Sequence, residues 1–89
     1  MEILFFGSRG PLAKLLQKTL SRLGYYAGEI DGIFGEQTEE AVKQFQQDNQ
    51  IPPTGIVWPQ TWDALAPALL RYSPYKRGTR YIKLQKKTI

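Results

Sequence analysis

Apolar residues in the first third of the chain follow the period of one helix face. Leucines recur at intervals of three and four residues from Leu12 to Leu23, which places their side chains on one side of an α-helix. Pro11 suits the first helical position, because the N–H that proline lacks has no partner there. Gly24 can end the helix in the left-handed conformation. The pattern predicts a helix over residues 11–23, preceded by a short extended apolar segment at residues 3–6.

An internal repeat predicts the two other helices. Residues 31–42, shifted by 23 positions, lie over residues 54–65 with the same Gly, Ile, Gln, Thr and Ala, so that a turn opens a helix twice. Pro59 is placed to be the first helical residue of the second copy, and the shift then sets the helix start of the first copy. These positions predict helices at about 36–49 and from Pro59 onward. Pro67 is expected to break or kink the last helix after about residue 66.

Helical spacing also predicts which side chains form the core. The inward-facing positions are Leu12, Leu15, Leu16, Leu20, Ala41, Val42, Phe45, Trp62 and Leu65, with Ile30 and Phe34 beside the first turn. The predicted fold is all-α: a small three-helix bundle with an internal turn–helix pseudo-repeat and a short extended N-terminal segment. The 89 residues are enough for one small domain, which we place at residues 1–70.

The composition removes several classes of chemistry. The chain has no Cys and no His, which excludes a disulfide framework, thiol catalysis, Ser-His dyads and nearly all zinc sites. No cofactor or metal is predicted. No apolar run approaches the roughly 20 residues that a membrane span needs, and residues 1–6 are too short, and lack the basic flank, for a signal peptide.

The net charge of +4 conceals two regions of opposite sign. Residues 1–70 carry five basic and eight acidic side chains, a net charge of −3, whereas residues 71–89 carry seven basic side chains and no acidic one. We therefore interpret residues 71–89 separately, as a basic linker or as the start of a truncated following domain.

The ordered motifs of residues 3–66 resemble those of the peptidoglycan-binding domain family, the three-helix type 1 module of bacterial cell walls. They are Leu4…Gly7-Ser8-Arg9-Gly10, then Leu16-Gln17…Leu20…Leu23-Gly24-Tyr25-Tyr26, then Ile30-Asp31-Gly32-Ile33-Phe34-Gly35…Thr38…Ala41-Val42…Phe45-Gln46, and Thr54-Gly55…Thr61-Trp62…Leu65. The resemblance implies a non-catalytic module that binds the glycan and stem peptide of peptidoglycan and targets a fused zinc peptidase or amidase. It also implies a cell-wall, extracellular or spore-envelope location and suggests a monomer, with no membrane partner.

Two turns are the predicted ligand-binding elements. We call residues 28–35 turn 1 and residues 52–58 turn 2; each precedes a helix start, where exposed N–H groups suit carboxylates. The candidate ligand-binding residues are Tyr25, Tyr26, Asp31, Gly32, Ile33, Trp58 and Gln60. Asp31 either forms the turn by accepting backbone N–H bonds or contacts ligand. Gln46, Gln60 and Thr61 either orient a ligand or satisfy backbone groups.

Two residues depart from the family pattern. Gln50 stands where members usually have Gly after the second helix, and a left-handed residue other than Gly costs about 1 kcal/mol unless Asn49 adopts that conformation instead. Trp58 stands where a small or capping residue is usual, and Trp is a poor helix cap. Its presence requires another explanation.

Two other functions remain as alternatives. An acidic pair among Glu29, Asp31, Glu36 and Glu39 is the requirement of a glycosidase, but a domain of this size has little room for a deep cleft. The tail mixes Tyr with Arg and Lys, which is typical of nucleic-acid or anionic-polymer binding. Acidic residues at the start of the second helix would repel phosphate, so we expect nucleic acid to be the weaker candidate.

Overall fold

The computed structural model describes residues 2–70, apart from the side chain of Leu70. Its elements are α1 (Pro11–Arg22), α2 (Glu36–Asp48) and α3 (Pro59–Leu70), and the described residues contain no named strand. The predicted all-α bundle and all three helix starts are confirmed; α1 and α2 end one residue earlier than predicted. The predicted linker at 71–89 lies outside the described residues.

Pro67 was expected to break or kink the third helix, and the predicted break is wrong. Helix α3 continues through Pro67 to Leu70. Proline removes one N–H, which in a regular helix would bond to the carbonyl of Asp63. Both Pro67 and Asp63 are exposed, so water can satisfy that carbonyl, and packing of Leu65, Ala68 and Leu69 against the core holds the helix together.

The predicted extended N-terminal segment connects the two turns. Leu4 forms an antiparallel bridge with Val57 of turn 2, and Arg9 forms one with Ile33 of turn 1. The Gly7 N–H donates to the Phe34 carbonyl over 2.8 Å, and the Phe34 N–H donates to the Ser8 carbonyl over 2.9 Å. Residues 4–9 therefore fix the position of one turn relative to the other.

Helices α1 and α2 end in the same motif. After α1, the Gly24 N–H donates to the Ser21 carbonyl and the Tyr25 N–H to the Leu20 carbonyl, with Gly24 at a φ of 91°. After α2 the corresponding left-handed residue is Gln50, with a φ of 57°. Both ends are Schellman motifs, and the alternative that Asn49 takes the left-handed conformation is wrong.

A single core lies between the helices and under both turns. Its fully or nearly fully buried side chains come from every element of the described chain, namely Leu4, Ala13, Leu16, Leu20, Tyr26, Phe34, Ala41, Val42, Phe45, Val57, Trp62 and Leu65. Leu12 and Ile30 are half-buried and pack against this core, whereas Leu15 is half-buried outside it. The helical spacing thus predicted most of the core, whereas the contributions of Leu4, Tyr26 and Val57 depend on the paths of the N-terminal segment and the turns.

Candidate functional site

A buried amide on α1 holds turn 1 in place. Gln17 is fully buried. Its Oε1 accepts the Gly32 N–H over 2.8 Å, and its Nε2 donates to the Ile33 carbonyl over 2.9 Å and to Thr38 Oγ1 over 3.1 Å. Because Thr38 lies in the first turn of α2, one side chain joins the middle of α1 to the turn and to the start of the next helix.

A second buried amide repeats this arrangement at turn 2. Gln46 on α2 is also fully buried. Its Oε1 accepts the Gly55 N–H over 2.9 Å, and its Nε2 donates to the Ile56 carbonyl over 2.9 Å and to Thr61 Oγ1 over 3.1 Å. The same three kinds of partner occur at both turns, so the repeat is also a repeat of hydrogen bonding. The sequence left open whether Gln46 and Thr61 orient a ligand or satisfy backbone groups. In the structure they satisfy buried groups of turn 2.

Asp31 and Thr54 play equivalent parts within the turns. Asp31 Oδ1 accepts the Ile33 N–H over 3.0 Å, and Thr54 Oγ1 accepts the Ile56 N–H over 3.1 Å. The Ile33 N–H, together with the Gln17 amide, lowers the pKa of the Asp31 carboxyl from its ordinary value of 3.8. Asp31 therefore forms the turn, as one interpretation of the sequence predicted, while its carboxylate stays exposed.

Gly32 is required by the path of turn 1. Its φ is 76°, and a Cβ added there would lie 3.2 Å from the Gly10 carbonyl oxygen. The Gly10 N–H in turn donates to the Gly32 carbonyl over 3.0 Å. Gly32 is buried, so its backbone shapes the site and its surface contributes little to it.

The two candidate tyrosines have different surroundings, since Tyr26 packs under turn 1 and Tyr25 does not. Tyr26 is 7% exposed, and its hydroxyl donates to the Glu29 carbonyl over 2.5 Å. Tyr25 packs edge-on against Phe45 with ring centroids 5.6 Å apart, and its hydroxyl donates to Asp48 Oδ2 over 2.6 Å. Asp48 ends α2 whereas turn 1 precedes it, a separation of about 18 Å along a 13-residue helix. The structure therefore does not bring the Tyr25 hydroxyl together with turn 1.

The remaining candidates are exposed near the helix starts. Ile33 and Trp58 keep 43% and 42% of their surface exposed, and Gln60 is exposed in the first turn of α3. The Trp58 carbonyl accepts the Thr61 and Trp62 N–H groups, so Trp58 begins the helix through its backbone and leaves its ring at the surface. Its side chain therefore has no capping role.

A shallow depression lies where turn 1 meets α2. Its volume is about 310 Å³, and it is lined by Tyr26, Asp31, Ile33, Gly35, Glu36, Gln37 and Thr38. The N-cap of α2 is Gly35, which has no side chain to accept the first N–H groups of the helix. Glu36 and Glu39 lie in the first turn of this helix. Both acidic side chains favour the positive end of the helix dipole, and Glu36 together with Asp31 gives the depression an acidic rim.

The sequence prediction missed two surface aromatic residues in the N-terminal segment. Phe5 and Phe6 are 53% and 56% exposed, although they belong to an apolar run. The Ser8 N–H donates to the Phe5 carbonyl over 2.8 Å, and the Phe5 N–H donates to Ser8 Oγ over 3.0 Å. This tight turn places both rings between the two bridges. The Gly7-Ser8 pair directly after the two aromatic residues could have indicated that the chain turns there and leaves both rings at the surface.

Residues 2–70 contain neither a cluster of metal-binding side chains nor a helix that could span a membrane. No group of three or more Asp, Glu, His or Cys side chains there is arranged to hold a metal ion. No helix in that part of the chain is both long and apolar enough to cross a bilayer.

Comparison with known proteins identifies the family. Residues 9–65 match the family described as a peptidoglycan binding domain. The spore cortex-lytic enzyme of Bacillus cereus is 31% identical over 67 residues, which make up 75% of this chain and 26% of that enzyme. The localization factor PodJL of Caulobacter vibrioides is 40% identical over 50 residues, 56% of this chain and 5% of that protein.

A solved structure has the same fold. The SleB N-terminal domain matches with a TM-score of 0.73 and 31% identity, covering 75% of this chain and 92% of that chain. The matched part is thus nearly a whole SleB domain, but only a small part of either curated relative. On the match over residues 9–65, the repeated turns and the shared three-helix fold, the chain belongs to the peptidoglycan binding domain family.

Proposed function

We propose that this chain binds bacterial cell-wall peptidoglycan without catalysing a reaction, and that it targets an appended hydrolase to that polymer. The observation that carries the proposal is the pair of turns fixed by Gln17 and Gln46, which present Ile33 and Trp58 at the surface, with Gln60 exposed in the first turn of α3. Turns that are already rigid lose little conformational entropy on binding, which favours recognition by a small surface.

The acidic residues support binding rather than hydrolysis. Asp31 holds its own turn, and Glu36 and Glu39 lie at the positive end of α2. Each therefore has a structural reason to be acidic, and the depression beside them is shallow. Water exclusion around a reacting bond requires a closed site. A weak binding site becomes effective when a tether raises the local concentration of a second domain at the polymer.

Similarity to a named relative supports a location and a partner domain for this chain. A relative of this chain is named as a spore cortex-lytic enzyme, which supports a cell-wall or spore-envelope location and a fused hydrolase, such as a zinc peptidase or amidase. The acidic charge of residues 1–70 favours an uncharged or mixed-charge polymer over nucleic acid. We expect the protein to act as a monomer without a cofactor.

Co-sedimentation of the full chain with insoluble purified peptidoglycan tests the proposal. Retention should persist between low and moderate salt, because it depends on short-range contacts and not on screened charge. A variant with the seven basic residues of 71–89 replaced by glutamine should be retained equally, and heat-denatured protein should not. Retention that disappears with salt or with the basic residues would instead indicate anionic-polymer binding, and DNA should then be tested as the ligand.

A further inference from the structure

The five large apolar side chains that are exposed among residues 2–69 all lie on the N-terminal segment and the two turns. They are Ile3, Phe5, Phe6, Ile33 and Trp58, and we call them the apolar platform. No helix outside these segments contributes a large exposed apolar side chain to the described surface. This clustering is unlike the scattered single apolar residues that are normal on protein surfaces.

Backbone pairing brings the members of the platform together. The Leu4 N–H and carbonyl both pair with Val57, and Trp62 Nε1 donates to the Glu2 carbonyl over 2.8 Å. Ile3, which lies between these two anchors, is therefore held beside Trp58. Leu4 is buried while its neighbours on both sides are exposed, as alternation along an extended segment requires.

The other end of the segment extends the platform to turn 1. Phe5 and Phe6 form the tight turn that ends at Ser8, and the next residues pair with Phe34 and Ile33. Ile33 shares its bridge with Arg9, so it lies at the far end of the same segment. The platform thus runs from Trp58 through the two phenylalanines towards Ile33.

The platform has a substantial apolar area. With about 200 Å² for a large side chain, the exposed fractions of 40% to 56% give a total of about 450 Å². A stable protein interface buries about 800 Å² on each partner, and a little over half of that area is apolar. Area alone therefore does not separate a protein partner from a polymer, and the choice of occupant rests on the chemistry of the side chains.

The chemistry of the platform selects one component of the polymer. Its five side chains carry no charge, whereas a stem peptide offers carboxylates that require charged or N–H partners. Three of the five are aromatic, and flat aromatic faces match the C–H faces of pyranose rings while polar groups at the edge fix orientation. Thr54 and Gln60, which are exposed four residues before and two residues after Trp58, supply such polar groups.

We infer that the apolar platform of Ile3, Phe5, Phe6, Ile33 and Trp58 is the glycan-strand subsite of this module. The inference rests on the proposed function and adds to it the N-terminal segment as a binding element and the sugar chain as the group bound.

Binding of peptide-free glycan strands to the full chain tests the inference, beside co-sedimentation with intact peptidoglycan. One variant combines Phe5→Ser with Phe6→Ser; another is Trp58→Ser, which places a favourable capping residue at the start of α3. The matched control combines Gln44→Ser with Gln47→Ser on the exposed side of α2. Circular dichroism and thermal melting establish that each variant is folded.

The expected result is that both platform variants bind glycan and peptidoglycan about 10-fold or more weakly, as loss of a contact aromatic residue does, while the control binds normally. A variant that combines Phe5→Tyr with Phe6→Tyr keeps both aromatic rings and should bind as wild type does. Glycan should also shield Trp58 from acrylamide quenching. If the chain is retained on peptidoglycan but does not bind glycan strands, the inference is overturned and the proposed function stands. The same conclusion follows if the platform variants bind as strongly as wild type. Absence of any retention overturns both, and self-association abolished by the platform variants would assign this surface to a second copy.

Discussion

Replacing Gln50 by glycine should stabilise the protein. Gln50 has a φ of 57° at the position after α2 that Gly24 occupies after α1. A left-handed residue with a Cβ costs roughly 1–2 kcal/mol, while glycine adds about 0.4–1 kcal/mol of unfolded-state entropy. The Gln50 side chain is exposed, and its amide reaches the Asp48 carbonyl only at 3.5 Å, so little else is lost. The net gain in the free energy of unfolding is about 0.5–1 kcal/mol.

Urea and thermal unfolding measure this gain. For a domain of this size, 1 kcal/mol corresponds to about 4–8 °C in Tm, so Gln50→Gly should raise Tm by about 2–8 °C. The slope of the urea transition should not change, because the surface exposed on unfolding is the same.

Two controls separate the left-handed position from a general effect of glycine. Gly24→Gln places a Cβ at a φ of 91° and should lower the free energy of unfolding by at least about 1 kcal/mol. Gln47→Gly introduces glycine inside α2 and should also destabilise, by about 1 kcal/mol. If Gln50→Gly is neutral or destabilising while Gly24→Gln destabilises, the strain assigned to Gln50 is absent and the reasoning is refuted.

Three further predictions concern the hydrogen bonds of the turns and α3. Gln17→Met and Gln46→Met should each lower the free energy of unfolding by about 2–4 kcal/mol, since each leaves buried turn groups without partners; urea titrations giving less than about 1 kcal/mol would contradict this. The lowered pKa of Asp31 contributes stability above pH 3.8 that is lost as pH falls through the folded-state value. The stability advantage of wild type over Asp31→Asn should therefore shrink below about pH 4 in acid unfolding curves, and an advantage independent of pH would argue against that contribution. Pro67→Ala should stabilise by about 1–3 kcal/mol by restoring the N–H that can bond to the Asp63 carbonyl, and no change in Tm would mean that α3 already avoids this penalty.

The hydrogen-bonding residues of the site could be predicted only in part. Asp31 was a candidate turn residue from its type alone, because a short carboxylate beside a glycine bonds to local N–H groups. Gln17 belongs to a helical stretch in which a glutamine indicates nothing about burial. Its role depends on turn 1 folding over the middle of α1, a contact between positions 15 residues apart. No local pattern contains that information.

The exposed residues of the site required the structure for the same reason. The sequence of the apolar run at residues 3–6 does not show which of its side chains are buried. The bridge from Leu4 to Val57 decides that Leu4 faces inward while Phe5 faces solvent. Tyr25 and Tyr26 are adjacent in sequence, yet one packs against Phe45 and the other enters the core. The direction of each ring depends on partners distant along the chain.

The sequence by itself determined the helices, their starts, the repeat and the family, because helical period, proline and glycine act over a few residues and are visible in the order of amino acids. The tertiary structure alone decided that Gln17 and Gln46 hold the two turns, that Pro67 stays within α3, and that an apolar platform joins turn 1 to turn 2. These features arise from long-range packing, in which burial and hydrogen bonding at one residue are set by residues from another part of the chain.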